Sequence, residues 1–373
     1  MAGHPQESRR TLPPQQFEVL IPPREVDVVE VFPKTTQTES IILLDVLTNP
    51  QKYQTSIIHA AGRNIWIDPT SLGIQTEEAI SPSIQFSGGF WRPLKRITGT
   101  MAQFNDTRIL PPNRDDFGKL FPQMIGSQFA QNNQLVELKS AYQPTGWYTY
   151  DGMYRKIENT MRLTQSFPDN NFPIAIPEPL MTYKSEDGYG IVWNTQSPRA
   201  RMDHRLKTFI AESKIELETT GSSPHTFTSW DICAYKDARL AGGILNVLHT
   251  QGFMHGQFTL GNIGAVNLDH GTVRCLYDMS TMRTLGSKLD AHLNRAIDVI
   301  KLLSGVTGLY EGHKNISHGK FWILAAISQY AGLSLEESIQ EYADFVDAAQ
   351  NHTGWRILAA QLTQRQSFLT AIS

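Results

Sequence analysis

Apolar positions recur at three- and four-residue steps through residues 229–250, SWDICAYKDARLAGGILNVLHT, where Trp230, Ala234, Ala238, Ala241, Leu245 and Leu248 fall on one side of a helical wheel. The spacing predicts a helix that stops just before Gly252, a residue suited to a helix end. A second helix is predicted over 151–167, DGMYRKIENTMRLTQSF, with Met153, Ile157, Met161 and Leu163 on one side. From about 40 to 195 the pattern is otherwise one of short β-like runs, SIIH, RNIWID, SIQF, TRIL and QLVELKSAY, split by Gly, Pro and Asn-Asp. In IPEPLMTYKSEDGYGIVWNTQSP, 176–198, two apolar runs flank Ser185-Glu186-Asp187-Gly188 and predict a hairpin followed by a connector at Trp193–Pro198. Beyond 200 the chain turns helical, with further stretches near 286–304, 318–332, 334–350 and 354–371.

These elements predict an α+β protein in two lobes, a β-rich N-lobe over 39–195 and a helical C-lobe over 196–373, with a cleft between them. Residues 1–38, punctuated by Pro13, Pro14, Pro22, Pro23 and Pro33, read as an extended arm able to dock through Phe17, Val19, Leu20 and Ile21. A formal net charge of -3 gives no sign of a nucleic-acid partner. Two cysteines, Cys233 and Cys275, are too few for a disulfide framework and suit a reducing, cytoplasmic setting. No apolar run approaches the ~20 residues of a membrane helix, and the polar, proline-bearing start predicts no cleaved leader.

Candidate chemistry concentrates in GFMHGQFTLGNI, 252–263, directly after the long helix. It is followed by IGAVNLDHGTVRCLYD, a second hairpin signal that Asp278 closes. This order resembles the catalytic segment of the protein-kinase-like superfamily, including antibiotic kinases of the aminoglycoside-phosphotransferase type, whose loop reads H-G-D-x-x-x-G-N. His255, Gly256, Gly261 and Asn262 match in register, and Asp278 matches the metal-binding acid of D-F-G, although Met279 and Ser280 follow it. The resemblance implies ATP and Mg as cofactors, with Asn262 and Asp278 offering the hard oxygen donors that Mg²⁺ prefers. It also puts Gln257 where the family carries its catalytic Asp. An amide cannot take a proton as a base but can orient a nucleophile. Gln257 is thus the candidate catalytic position, and His255 the residue that holds the loop.

The same resemblance asks for a strand lysine and a helix glutamate to position the phosphates. Lys139 in LVELKSA and Glu158 on the second predicted helix are similar to that pair. The glycine-rich loop falls in FSGGF, with Gly88 and Gly89, or in ITGT, with MIGSQ a further candidate; none spells G-x-G-x-x-G. Selenoprotein-O-type proteins offer a distant parallel, being kinase-like without the usual Asp, but they carry an Asp where this chain has Gly261. The basic run Arg199, Arg201, His204, Arg205, Lys207 reads as a solvated helix face or, in a cleft, as a phosphate site. Three functions follow in order: an atypical phosphoryl or nucleotidyl transferase acting on a protein or small-molecule acceptor; a pseudokinase serving as a binding module; or an unrelated α+β protein.

Overall fold

Strict alternation along Gly188–Gln196 (β9) sends Ile191 and Trp193 to one face of a sheet and Val192 to the other, and each face meets its own helix. The computed structural model describes residues 25–61, 64–75, 82–88, 127–129, 135–137, 148, 150–167, 174–185, 188–223, 226–256, 258–268, 271–279, 282–286, 291, 295, 298–299, 301–302 and 316–332. The protein is of mixed α and β structure. β9 is a middle strand of a six-stranded antiparallel sheet. From one edge to the other its neighbours are Asp27–Val31 (β1), Glu178–Ser185 (β8), β9, Pro82–Ser87 (β4), Asn64–Ile67 (β3) and Ile57–Ala61 (β2). Ser127–Phe129 (β5) and Leu135–Glu137 (β6) pair only with each other in a separate ribbon.

One face of the sheet is covered by Gln37–Thr48 (α1), whose Leu43, Val46 and Leu47 pack on Ile65, Ile67, Ile84, Phe86 and Val192. Thr36 and Glu39 form a reciprocal capping box at its start, satisfying backbone donors that a helix end otherwise leaves bare. The other face receives Tyr150–Ser166 (α2), which packs Met153 and Ile157 against Phe32, Tyr148, Ile191 and Trp193. β1 runs through what the sequence suggested was an arm: it is an edge strand, tied on by Phe32 N–H and the Thr35 hydroxyl, both donating to Leu180 O.

The connector is shorter than expected, since Trp193–Gln196 belong to β9 and the chain leaves the sheet only at Ser197, passing through a 3₁₀ turn at Pro198–Ala200. It then enters Met202–Thr220 (α3) and Ser229–Thr250 (α4), the second matching the predicted range and capped by a Thr228–Asp231 box. Arg205 on α3 grips Asp237 on α4 through two contacts of 2.7 and 3.1 Å. Ile316–Ala331 (α5) lies so close to α4 that a methyl group at Gly242 would collide with Ala326 O. Short strands complete this half: Ile174–Ala175 (β7), Phe253–Met254 (β10), Ile263–Leu268 (β11), Gly271–Leu276 (β12) and Arg283–Thr284 (β13). Among the described residues no helix is long and apolar enough to cross a membrane.

Candidate functional site

β11 and β12 pair with Ile263 opposite Leu276, so the next pair outward is Asn262 and Tyr277, joined by Tyr277 N–H donating to Asn262 O at 2.9 Å. Asn262 and Asp278 therefore stand at the same end of one hairpin, and both line a cleft. Asp278 takes φ 54, the left-handed region that an Asp tolerates better than most side chains. The other walls come from Asn64, Gln85 and Trp193 on the sheet, from Tyr148 and Pro177, and from Arg201 at the start of α3. The enclosed volume is about 110 Å³. That is room for several waters or a phosphate group, below the ~300 Å³ at which pockets for whole drug-sized ligands begin.

Lys156 supplies one cation of this cleft. Its Nζ lies 3.1 Å from Asp278 Oδ1 and donates to the Tyr148 hydroxyl at 3.2 Å. The ring centroids of Tyr148 and Trp193 are each 5.5 Å away, within cation–π range. Tyr148 is itself fixed, sharing a 2.6 Å hydrogen bond with the Ser87 hydroxyl and pairing its backbone with Tyr189. Three residues along α2, Asn159 donates to Met279 O at 2.8 Å, pinning the helix to the segment just past Asp278.

Arg201 ties the sheet, the loop and the hairpin together. It donates to Gly261 O at 2.6 Å and lies over the rings of Tyr277 and Trp66 at 4.6 and 5.5 Å. Its Nε, together with Trp193 Nε1 and Asn64 Oδ1, is buried and has no hydrogen-bond partner among the described residues. Buried polar groups without partners are costly. All three residues line the cleft.

The loop before Asn262 is held from below by Asp298, which is fully buried. Asp298 accepts from His255 N–H at 2.6 Å and Gly256 N–H at 2.8 Å, while Lys301 Nζ donates to Gly256 O at 2.6 Å. His249 Nε2 lies 3.3 Å from the same carboxylate. The His255 ring meets Tyr277 O through Nε2 at 2.9 Å; a carbonyl only accepts, so Nε2 carries the proton. Complete burial pushes the His255 pKa down and keeps the ring neutral. His255 thus fastens the loop to the hairpin and is absent from the cleft lining.

Of the residues singled out in the sequence, Asn262 and Asp278 both line the cleft. Glu158 does not join them: its side chain is 60% exposed and pairs with Arg162 at 2.6 Å, one turn along the outer face of α2. Gly88 ends β4 at φ 114 against Gly190 and accepts from the Tyr183 hydroxyl at 2.8 Å, so its lack of a side chain serves the sheet. Lys139, Gly89 and Gln257 lie outside the described residues. The basic run disperses, with Arg201 entering the cleft, Arg205 on Asp237 and Lys207 3.7 Å from Asp203. Lys156 and Asp298 escaped the sequence reading. Lys156 shares the buried face of α2 with Met153, Ile157 and Thr160, and a lysine at helical spacing within an apolar stripe was its signal. Asp298 has no local signature.

Mg²⁺ is bound through one or two carboxylates together with substrate phosphates and waters. Among the described lining residues Asp278 is the one carboxylate and Asn262 an amide; Asp278 already faces the Lys156 ammonium and Arg201 adds a second positive charge, so a divalent cation would compete with Lys156 for this carboxylate. Among the described residues no group of three or more His, Cys, Asp and Glu could hold a metal ion.

No protein-family model matches the chain, and no curated protein matches it. Among solved structures it is similar to WaaP in complex with acyl carrier protein, at 11% identity and a TM-score of 0.33, over 57% of this chain and 76% of that one. A likeness of that size decides neither fold nor function.

Proposed function

We propose that this chain is a kinase-like protein whose cleft binds ATP through its phosphates. The observation that carries this reading is Lys156, caged beside Asp278 and Asn262 at the end of a hairpin whose loop keeps the His255, Gly256, Gly261, Asn262 spacing. An ammonium and an arginine lining one cavity suit a phosphate's oxygens. A phosphate group is what the present cavity accommodates, and the rest of the nucleotide would lie outside it.

Transfer of a phosphoryl or nucleotidyl group is a further step, and it rests on Gln257 orienting an acceptor without serving as a base. A second reading, a pseudokinase that binds without transferring, is favoured by the Lys156 ammonium lying on the carboxylate that the kinase-type reaction gives to its metal. Calorimetric titration of ATP into the full chain tests the binding. Saturable binding that Lys156→Met weakens about tenfold, the worth of one charge-assisted contact, supports the proposal. No heat at millimolar ATP defeats it. Incubation with ATP labelled at the γ or the α phosphate then separates the two readings, since label transferred from either position establishes an enzyme and its absence from both a binding module.

A further inference from the structure

We infer that the cleft holds nucleotide phosphate without a divalent cation, with Lys156 as the built-in counter-ion. This rests on the reading of the cleft as a nucleotide site and specifies how that site neutralises its ligand. The ammonium lies 3.1 Å from Asp278 Oδ1 and already neutralises the carboxylate that a metal would use. It is also hard to move, because the cage around it is anchored on three sides. Tyr148 is locked to Ser87 and Tyr189, Trp193 is buried in a middle strand, and Asn159 fastens α2 to the backbone of Met279. Only 9% of the Lys156 side chain is exposed.

Charge points the same way. Among the described residues the lining carries Lys156 and Arg201 against Asp278, a net positive charge before any ligand arrives. A dication added beside that ammonium would face like charge at close range in a partly desolvated space. A phosphate added there meets an ammonium already in place, with the Arg201 side chain on the same wall. In this arrangement Asp278 is a positioning residue: it fixes Lys156, and its own negative charge works against the incoming phosphate. The sign of its effect therefore reverses relative to a metal-dependent site.

The test is calorimetric titration of ATP into the full chain, once in buffer with EDTA and once with MgCl₂. The wild-type Kd is expected to agree within about threefold between the two buffers, a difference smaller than one hydrogen bond. Asp278→Asn, which keeps an acceptor for Lys156 and removes the charge, is expected to tighten ATP binding in EDTA; Lys156→Arg retains binding and Lys156→Met weakens it about tenfold in both buffers. Binding that appears only with MgCl₂ and disappears in Asp278→Asn overturns the inference while leaving ATP binding itself standing. Absence of binding in both buffers overturns the underlying reading of the cleft. If Lys156→Met fails to fold, as judged by circular dichroism, the comparison of buffers on the wild-type protein still decides.

Discussion

Replacing Asp298 with alanine removes the acceptor on which two consecutive loop amides depend. His255 N–H at 2.6 Å and Gly256 N–H at 2.8 Å both end on this carboxylate, and its surroundings are closed to water. A hydrogen bond to a charged group contributes roughly 1.5–3 kcal/mol, so losing two amounts to roughly 3–6 kcal/mol before the loop relaxes. Lys301 is affected as well, because burial lowers its pKa and the Asp298 charge raises it again. Breaking a buried charge pair by removing one partner typically costs about 3–5 kcal/mol, and we expect Asp298→Ala to fall in that range. Asp298→Asn keeps a carbonyl oxygen for one amide and should lose about half as much. Equilibrium unfolding in urea, followed by fluorescence and circular dichroism together, should place the Asp298→Ala midpoint at least about 1 M below wild type for an m-value of ordinary size. Hydrogen exchange should show the amides of 253–262 opening first. A midpoint shift worth less than ~0.5 kcal/mol at unchanged m would refute the claim that this carboxylate holds the loop.

Two adjacent glycines on α4 should respond in opposite directions. A methyl at Gly242 would collide with the Ala326 backbone, so Gly242→Ala should destabilise by about 1–3 kcal/mol. At Gly243 the nearest atom is Gln329 Cγ at 3.5 Å, so Gly243→Ala should gain up to ~1 kcal/mol of helix propensity. Thermal melts that rank the two alike would contradict the packing of α4 on α5. On β2, burial first and then the positive charges of His204, Arg201 and Arg199 push the His59 pKa down to about 4. The unfolded chain, with His near 6.5, binds that proton more readily, so His59 favours the folded state fully above pH 6.5 and loses that advantage as pH falls toward 4. The slope cannot exceed about 1.4 kcal/mol per pH unit. His59→Gln should flatten the decline in melting temperature between pH 7 and 5, and a decline as steep as in wild type would show that other groups govern it.

What the sequence made legible was local. α4 was readable because its apolar stripe runs through six turns, and the β8–β9 hairpin because two apolar runs flank a polar turn ending in Gly188. β1 left no such mark: all five of its residues are exposed, as suits an edge strand, so no alternation distinguished it from an arm. The start of α1 did leave a signal, the Thr36-x-x-Glu39 capping pattern, which the prolines nearby obscured. For the site, spacing sufficed where one hairpin joins two residues, as with Asn262 and Asp278. It failed for Lys156, whose partner lies 122 residues on, as the numbering 278 − 156 gives. Asp298 was out of reach for the same reason, because its contacts with His255 and Gly256 span 43 and 42 residues.

The side of the sheet from which the cation comes is a matter of period. β4 turns Ile84 and Phe86 toward α1, so Ser83, Gln85 and Ser87 must point the other way, toward α2 and the cleft. A one-residue slip would bring two apolar side chains into the cleft and three polar ones into the core, which the packing of α1 forbids. The strand therefore offers the cleft hydroxyls and an amide, and its positive charges arrive from elsewhere, Lys156 from α2 and Arg201 from the start of α3. Because Lys156 and Asn159 sit on one face of that helix and reach Asp278 and Met279 in turn, helix and hairpin end are coupled at two points three residues apart. Sliding α2 along the sheet would break both contacts together. The site is complete only when α2 is docked, and docking is driven by the burial of Met153 and Ile157 against Trp193.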